Sequence, residues 1–362
     1  MIYNDNEKML IFLSSFDFMT YAKEEKLLAL FNEPKDIKTD YKKFKNEIIS
    51  IFDERIYNKM LSNLDDVYIE TFIREMLKKG IEIVTLYSRF YPEKLKNISA
   101  PPFHLFTKGD LSLLNTKSIG IVGTRHPTAY GRSVTEDFAK KLSKNELTIV
   151  SGLAYGVDGI AHKSCLEEGG NTIAVLACGF DKIYPKEHFE LAHTIAQRGL
   201  LVSEYLPHIQ AEFFYFPVRN RIIAGLSESV LITEAGIKSG VMHTKEYALD
   251  YGRDVYAVPG NITSKMSEGT NLLIKSNQAI CITDVDEILR NYQITYVVNK
   301  REKPKLNINQ QMIVDYLEDG EKHFEEILNI TKLDTKTLNS CLTTLEISEI
   351  IRKLEGNYYS LL

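Results

Sequence analysis

The stretch Ser118-Ile-Gly-Ile-Val-Gly-Thr-Arg125 has the pattern of a buried β-strand that ends in a tight glycine turn. Similar apolar, β-branched runs recur along the chain at residues 147–150, 172–177, 200–202, 229–233 and 254–258. Segments long enough for a helix separate these runs, and such alternation is typical of a parallel sheet buried on both faces. The sequence therefore predicts an α/β fold with an extended Rossmann-like, doubly wound, mostly parallel sheet, which binds ligands beyond the carboxyl ends of its strands.

Glycine usage divides the chain into regions. There is no glycine before Gly80, and 17 of the 20 glycines lie between Gly109 and Gly269, where the predicted strand-to-helix turns need them. Residues 1–80 have apolar side chains at helical spacing and predict an N-terminal helical (SAM-like) domain. We expect the Rossmann-like domain at residues 81–298, a charged linker at 299–305, and a winged-helix-like domain of three helices and a β-hairpin at 306–362.

Composition limits the possible partners. The formal net charge is −5, so a general basic surface for nucleic acid is excluded and any such binding needs a local basic groove. The four cysteines are scattered without a CxxC pair, and the first apolar run, residues 10–13, is too short for a signal or membrane segment. We therefore expect a cytoplasmic location, no membrane contact and reduced cysteines.

Four turns at predicted strand ends or helix starts contain glycine, hydroxyl and basic residues. They are Gly123-Thr-Arg125, Ser151–Asp158, Phe216-Pro-Val-Arg-Asn-Arg221, and Lys238-Ser-Gly240 followed by Thr244. At the carboxyl edge of a parallel sheet such turns present backbone N–H groups, hydroxyls and guanidinium groups near helix N-termini, which suits a phosphate. The hypothesis requires Arg125 and Arg221 to lie on the same side of the molecule; each turn alone is also explained as a connection.

Two other groups of side chains near these turns each have two possible interpretations. Phe213-Phe-Tyr-Phe216 directly precedes the basic Phe216–Arg221 turn, so its rings either stack on bases or fill the core. Asp158 and Glu234 lie near predicted strand ends, where a carboxylate serves as an acid/base group or, more commonly, caps a helix or pairs with arginine.

These turns, in this order, resemble the signature of the DprA/Smf (DNA processing) family. Val258-Pro-Gly260 and Glu268-Gly-Thr-Asn-Leu-Leu-Ile274 extend the resemblance, which covers roughly residues 81–290. It implies an extended Rossmann fold that binds single-stranded DNA, forms a homodimer and helps load the RecA recombinase in natural transformation, without catalysis or a cofactor. The DNA- and phosphate-binding residues that we predict on this basis are Gly123, Thr124, Arg125, Ser151, Gly152, Arg219, Asn220, Arg221, Lys238, Ser239, Gly240 and Thr244.

The chain departs from the family pattern at two positions. Val241 stands where a small hydroxyl residue is usual, and Lys245 stands where alanine is usual, so Lys245 is an additional basic candidate. The C-terminal domain is also unusual for a DNA reader, because residues 306–362 contain five Lys or Arg against ten Asp or Glu. We expect this domain to contact a protein, or to pack within the chain, rather than to bind a duplex.

Two alternative functions remain open from the sequence. The first is a Rossmann-fold nucleotide-processing enzyme of the lysine-decarboxylase-like phosphoribohydrolase group. That group has a PGGxGT turn, whereas the corresponding region here is Thr233-Glu-Ala-Gly-Ile-Lys-Ser-Gly240. The second is a protein-interaction scaffold that binds no nucleic acid.

Overall fold

The structure is a computed structural model that describes residues 3–294, 306–348 and 350–361. It divides into two compact units, residues 1–296 and 297–362. The predicted linker at 299–305 lies outside the described residues. Within the described ranges, the longest apolar helical segments fall short of what a membrane crossing requires.

The first unit begins with six helices. They are α1 (Asp5–Ser14), α2 (Tyr21–Leu28), α3 (Ile37–Asp40), α4 (Lys45–Ile51), α5 (Glu54–Ser62) and α6 (Asp66–Lys78). Local capping defines several of their starts: Asn4 and Glu7 form a capping box on α1, and Asp53 and Asp65 accept from the first turns of α5 and α6.

The rest of the first unit alternates strands and helices. The strands are β1 (Glu82–Thr85), β2 (His104–Gly109), β3 (Ser118–Val122), β4 (Thr148–Ser151), β5 (Thr172–Leu176), β6 (Leu200–Ser203), β7 (Ser229–Ile232), β8 (Asp254–Ala257) and β9 (Ile280–Cys281). The helices are α7 (Glu93–Lys96), α8 (Ala129–Lys144), α9 (Val157–Glu167), α10 (Phe189–Arg198), α11 (Tyr215–Leu226), α12 (Val241–Asp250), α13 (Glu268–Lys275) and α14 (Val285–Asn291).

The nine strands form one sheet in the order β1-β2-β6-β5-β4-β3-β7-β8-β9. All neighbouring pairs from β6 to β9 are parallel, and β2 is antiparallel to both β1 and β6. This confirms the predicted doubly wound, mostly parallel α/β sheet. The chain winds outward from β3 to β6 and then returns to β7 on the other side of β3. The topological switch point, where such sheets form a binding crevice, therefore lies between β3 and β7.

Alternation along each strand supplies the two apolar layers that cover the sheet. On β7, Val230 and Ile232 pack into one buried cluster, whereas Leu231 between them packs into a second cluster with Ile119 and Ile121 of β3. Because successive strand side chains point to opposite faces and both faces are covered, the side chains on both faces of β3 and β7 are buried. The sheet thus holds its carboxyl-end turns on a rigid frame.

The N-terminal helices pack on the antiparallel end of this frame. Phe12 and Leu13 of α1 share a continuous buried cluster with Ile83 of β1, Phe106 of β2 and Ile195 of α10. Helices α1–α6 and the sheet are consequently parts of one compact unit with a common apolar core.

Buried charges complete the contact between α2 and the sheet. Arg221 of α11 donates from Nη2 to Glu204 Oε1 at 2.5 Å, and its guanidinium lies 5.4 Å from the ring centre of Tyr21 of α2. Nearby, His104 Nδ1 on β2 lies 3.6 Å from the Oε2 atom of Glu24, and the charge of that carboxylate helps raise the histidine pKa against the opposing effect of burial. These pairs bring together three elements that are distant in sequence.

The second unit has its own small core. Its elements are α15 (Ile308–Leu317), β10 (Lys322–His323), α16 (Phe324–Thr331), α17 (Thr335–Ile347), β11 (Ile351–Lys353) and β12 (Tyr358–Leu361), with strands in the order β10-β12-β11. Ile313, Ile327, Leu338 and Leu345 are fully buried in it. The elements follow the order helix, strand, two helices and β-hairpin, which is typical of a winged helix.

We predict that Arg221→Leu lowers the urea midpoint of unfolding, because Glu204, whose side chain is only 15% exposed, then loses its cation. The loss is about 3–5 kcal/mol if the pair behaves as other buried ion pairs that lose one partner. The double variant Arg221→Leu/Glu204→Leu is the matched control and should recover much of this loss. An Arg221→Leu protein as stable as the wild type would contradict the buried pair.

Candidate nucleic-acid interface

A cavity of about 690 Å³ opens at the carboxyl edge of the sheet, at the switch point between β3 and β7. Turns after β3 and β7, the start of α9 and the first turns of α11 and α12 all contribute to its wall. The predicted site residues that line it are Gly123, Thr124, Arg125, Arg219, Asn220, Lys238, Ser239, Gly240 and Thr244. Three of the four predicted turns thus meet at one place, and the fourth, Ser151–Asp158, contributes Ala154 and Asp158.

The β3 turn is fixed by backbone hydrogen bonds to its neighbours. The Thr124 N–H donates to the carbonyl of Glu234 after β7 at 2.8 Å, and the Thr124 carbonyl accepts from the N–H of Val157 in α9 at 3.2 Å. Gly156 makes this approach possible, since a Cβ atom there would lie 2.4 Å from the Thr124 oxygen. The next residue, Arg125, is therefore held at the mouth of the cavity.

Arg219 joins three elements beneath the cavity. Its side chain is buried, and Nη1 donates to the carbonyls of Gly152 after β4, at 2.7 Å, and of Val175 in β5, at 2.5 Å. Its Nε donates to Asn220 Oδ1 at 3.1 Å, which orients that amide at the cavity wall. Arg219 thus acts mainly on the shape of the site.

One carboxylate lies in the cavity wall. Asp158, in the first turn of α9, accepts from the N–H of Gly152 at 3.1 Å and from that of Ala154 at 3.4 Å. Burial raises the pKa of Asp158, and the positive charge of Arg219 opposes that shift. The carboxylate therefore holds the loop that precedes α9 and offsets the charge of the buried guanidinium, so of its two interpretations the pairing with arginine fits better than an acid/base role.

The exposed charges at the cavity are positive. Arg125 and Lys238 both extend into solvent, and neither forms an ion pair with any residue that the structure describes. The helices α11 and α12 both present their first turns to the same space, although the N–H groups of Val241, Met242 and His243 donate locally to Ser239 and Gly240. Exposed cations beside two helix N-termini give this wall a positive potential, which suits an anion.

Aromatic rings border the same cations. Phe213 and Phe216 line the cavity, and Phe213 is 86% exposed, which is unusual for so large an apolar side chain. The guanidinium of Arg125 lies over the Phe216 ring, 5.1 Å from its centre. Tyr215 packs on Tyr205 at a centroid distance of 4.2 Å. The aromatic run therefore divides between ring packing and cavity lining.

Three of the predicted residues do not line the cavity. Ser151 is fully buried and donates to the Ile121 carbonyl at 2.6 Å. Gly152 lies beneath the cavity, where a Cβ atom would be 2.5 Å from the Arg219 guanidinium. Arg221 is two residues from Arg219 on α11, about 200° around the helix, and pairs instead with Glu204. The requirement that Arg221 accompany Arg125 is therefore not met, and the phosphate-binding hypothesis depends on Arg125 and Lys238 without it.

The additional basic candidate also lies elsewhere. Lys245 is buried, and its Nζ donates to Gln278 Oε1 at 3.0 Å. Conversely, His126 and His243 line the cavity but were not predicted. The sequence could have indicated them, because His126 directly follows Arg125 and His243 directly precedes Thr244, both predicted site residues.

Glu234 occupies the far side of the β3 turn. Its carboxylate accepts from the backbone N–H of Thr128 at 2.8 Å and from the Thr128 hydroxyl at 2.7 Å, and it is almost fully buried. It therefore ties the start of α8 to the end of β7. Across the described residues, no group of three or more His, Cys, Asp or Glu side chains is arranged to hold a metal ion.

Comparisons with known proteins match the region that contains this cavity. A family model described as DNA recombination-mediator protein A covers residues 82–293. The DNA processing protein DprA of Bacillus subtilis is 42% identical over 224 residues, which cover 60% of this chain and 75% of that protein. The X-ray structure of DNA processing protein A from Streptococcus pneumoniae matches with a TM-score of 0.67 at 32% identity, covering 82% of this chain and 100% of that one.

A second solved structure concerns nucleic acid directly. DNA processing protein A from Helicobacter pylori, described as having a unique single-stranded DNA binding mode, matches with a TM-score of 0.54 at 34% identity. The match covers 59% of this chain and 96% of that one. Since the family model spans more than half of the chain and carries the β3, β4, α11 and α12 turns, this chain belongs to the DNA recombination-mediator protein A family, the DprA/Smf proteins.

Proposed function

We propose that this protein binds single-stranded DNA in the cavity at the β3–β7 switch point and acts as a recombination mediator. The observation that carries the proposal is that two exposed cations without ion-pair partners, Arg125 and Lys238, share one cavity with the exposed ring of Phe213 and the half-buried ring of Phe216. Cations contact the phosphate backbone and rings contact bases, and both are needed to hold a flexible strand.

The preference for a single strand follows from the rings. In a duplex the flat faces of the bases are covered by their neighbours, so an aromatic side chain cannot stack on them without unstacking the helix. A single strand offers those faces freely, and stacking on Phe213 requires no particular base. The strand would therefore be held with little sequence preference.

Family membership extends the proposal to the protein's biological role. By likeness to the DprA proteins, we infer that it protects incoming single strands in the cytoplasm, helps load the RecA recombinase in natural transformation, and acts as a homodimer. The single-stranded DNA binding mode described for the Helicobacter pylori relative supports the first of these steps.

The carboxylates at this site favour binding over catalysis. The two carboxylates that the sequence offers as acid/base groups are both engaged: Asp158 with backbone N–H groups and Glu234 with Thr128. A phosphoribohydrolase would need one of them free to move a proton at the substrate. This arrangement favours the DNA-binding function over the enzymatic alternative.

For the second unit we propose a protein partner. Its acidic balance opposes a DNA backbone, and Lys336 is the one Lys or Arg of α17, Thr335–Ile347. The unit also exposes apolar side chains, including Ile308 at 81% and Ile347 at 78%. Acidic charge with exposed apolar groups fits a basic protein surface better than a phosphate backbone.

We predict that Arg125→Ala and Lys238→Ala each weaken binding of labelled oligothymidylate, measured by fluorescence anisotropy over a salt series. Each loses a charged hydrogen bond of roughly 1.5–3 kcal/mol. Each should also reduce the slope of log K against log salt by about 0.7, because one fewer counterion is released.

Lys353→Ala is the matched control, since it removes an exposed cation from β11 in the second unit. It should bind as the wild type does. Equal losses for Arg125→Ala, Lys238→Ala and Lys353→Ala would contradict a localised site. Arg221→Ala should affect stability more than the affinity of the folded protein, because Arg221 pairs with Glu204 and does not line the cavity.

We further predict that removing residues 306–362 leaves most single-strand affinity intact, because the cavity is built wholly from the first unit. The measurement is the same anisotropy titration on the shortened and full-length proteins. A large loss of affinity with unchanged stability of the first unit would show that the acidic second unit contributes to DNA binding.

A further inference from the structure

Aromatic contacts continue along the carboxyl edge of the sheet beyond the cavity. The ring of Phe216 lies 5.6 Å from that of Tyr184, and Tyr184 lies 6.5 Å from Tyr155, both pairs edge-to-face. Phe216 belongs to α11, Tyr184 to the β5–α10 connection and Tyr155 to the β4–α9 connection. Because β4 and β5 are neighbours, these rings run outward from the cavity toward β5.

The β5–α10 connection is held in place, so its side chains form a defined surface. The Tyr155 hydroxyl donates to the carboxylate of Glu187, and His188 Nδ1 lies 2.9 Å from the Leu153 carbonyl. Tyr184 nonetheless remains 42% exposed beside these contacts. A ring that is fixed and accessible loses little conformational entropy when a base stacks on it.

The charges of this connection favour a phosphate backbone. Lys182 and Lys186 are exposed, and neither forms an ion pair in the described part of the chain. Of its two acidic residues, Asp181 pairs with Lys79 at 2.7 Å, whereas Glu187 accepts from Tyr155 and keeps its negative charge. The connection therefore presents Lys182 and Lys186, against the one carboxylate of Glu187, beside the exposed ring of Tyr184, a combination similar to that of the cavity.

We propose that the single strand which enters the cavity continues over the β5–α10 connection, with a base stacked on Tyr184 and phosphates near Lys182 and Lys186. We call these three residues the β5 extension. The proposal rests on the proposed function, and its support is the continuity of rings from Phe216 together with the charge complementarity. It implies a binding site longer than the cavity itself.

The test compares short and long oligothymidylates, of about 4 and about 16 nucleotides, which bracket the usual site size of a single-strand-binding fold. Wild-type protein should bind the long strand more tightly. Lys182→Gln/Lys186→Gln should reduce the salt slope for the long strand by about 1.4, from two lost phosphate contacts, and leave that for the short strand unchanged.

Tyr184→Ala should weaken binding of the long strand by about fivefold to about a hundredfold, the range for loss of one stacked base. Tyr184→Phe retains the ring and should bind as the wild type does. Lys26→Gln/Lys42→Gln removes the same charge from two exposed lysines of the N-terminal helices and is the control for net charge.

The two proposals fail in different ways. Wild-type protein that binds no single strand of either length contradicts the proposed function. If the wild type binds and Arg125→Ala weakens both lengths, but the Tyr184 and lysine variants match the wild type at both, the β5 extension is overturned and the proposed function stands. Equal wild-type affinity for both lengths also overturns the extension.

Discussion

The buried guanidinium of Arg219 is the interaction on which the geometry of the site depends. It donates to carbonyls at the ends of β4 and β5 and orients Asn220 at the cavity wall. A buried cation is stable only when its hydrogen bonds and charge are compensated, which the carbonyls and Asp158 provide. The requirement for this compensation fixes the turns relative to one another.

That rigidity would let an acidic protein form the phosphate site that we propose. With a net charge of −5, long-range attraction cannot hold DNA, so the cations must be concentrated. The sheet brings Arg125, after β3, and Lys238, after β7, to opposite sides of the switch point, and the helix N-termini add to the local positive potential. Binding then depends on where the charges lie rather than on their sum.

Much of the sheet could be predicted, because the pattern that specifies each strand is local in the sequence. The runs that became β3 to β8 are each short, apolar and followed by a turn, so alternation with helices was enough to indicate the sheet and its ligand-binding edge. The position of Arg221 could not be predicted from the neighbouring sequence, because its contacts Glu204 and Tyr21 lie far from it along the chain. Helix geometry, however, already separates residues 219 and 221 by about 200°, so both could not face one cavity.

The packing of the N-terminal helices could not be predicted from the sequence pattern either. Their apolar spacing predicts helices, but it does not say that Phe12 meets Phe106 of β2 or that Glu24 meets His104. Such contacts depend on shape and buried charge between distant segments.

The central claim, that separate turns meet to form one DNA-binding cavity, is tested most directly by photocross-linking. Oligonucleotides carrying a photoreactive thymine analogue would be irradiated with the full-length protein and the linked residues identified by mass spectrometry. We expect cross-links at Phe213 and Phe216 that disappear when unlabelled single strand is added. Cross-links confined to the second unit, or to the opposite edge of the sheet, would contradict the account.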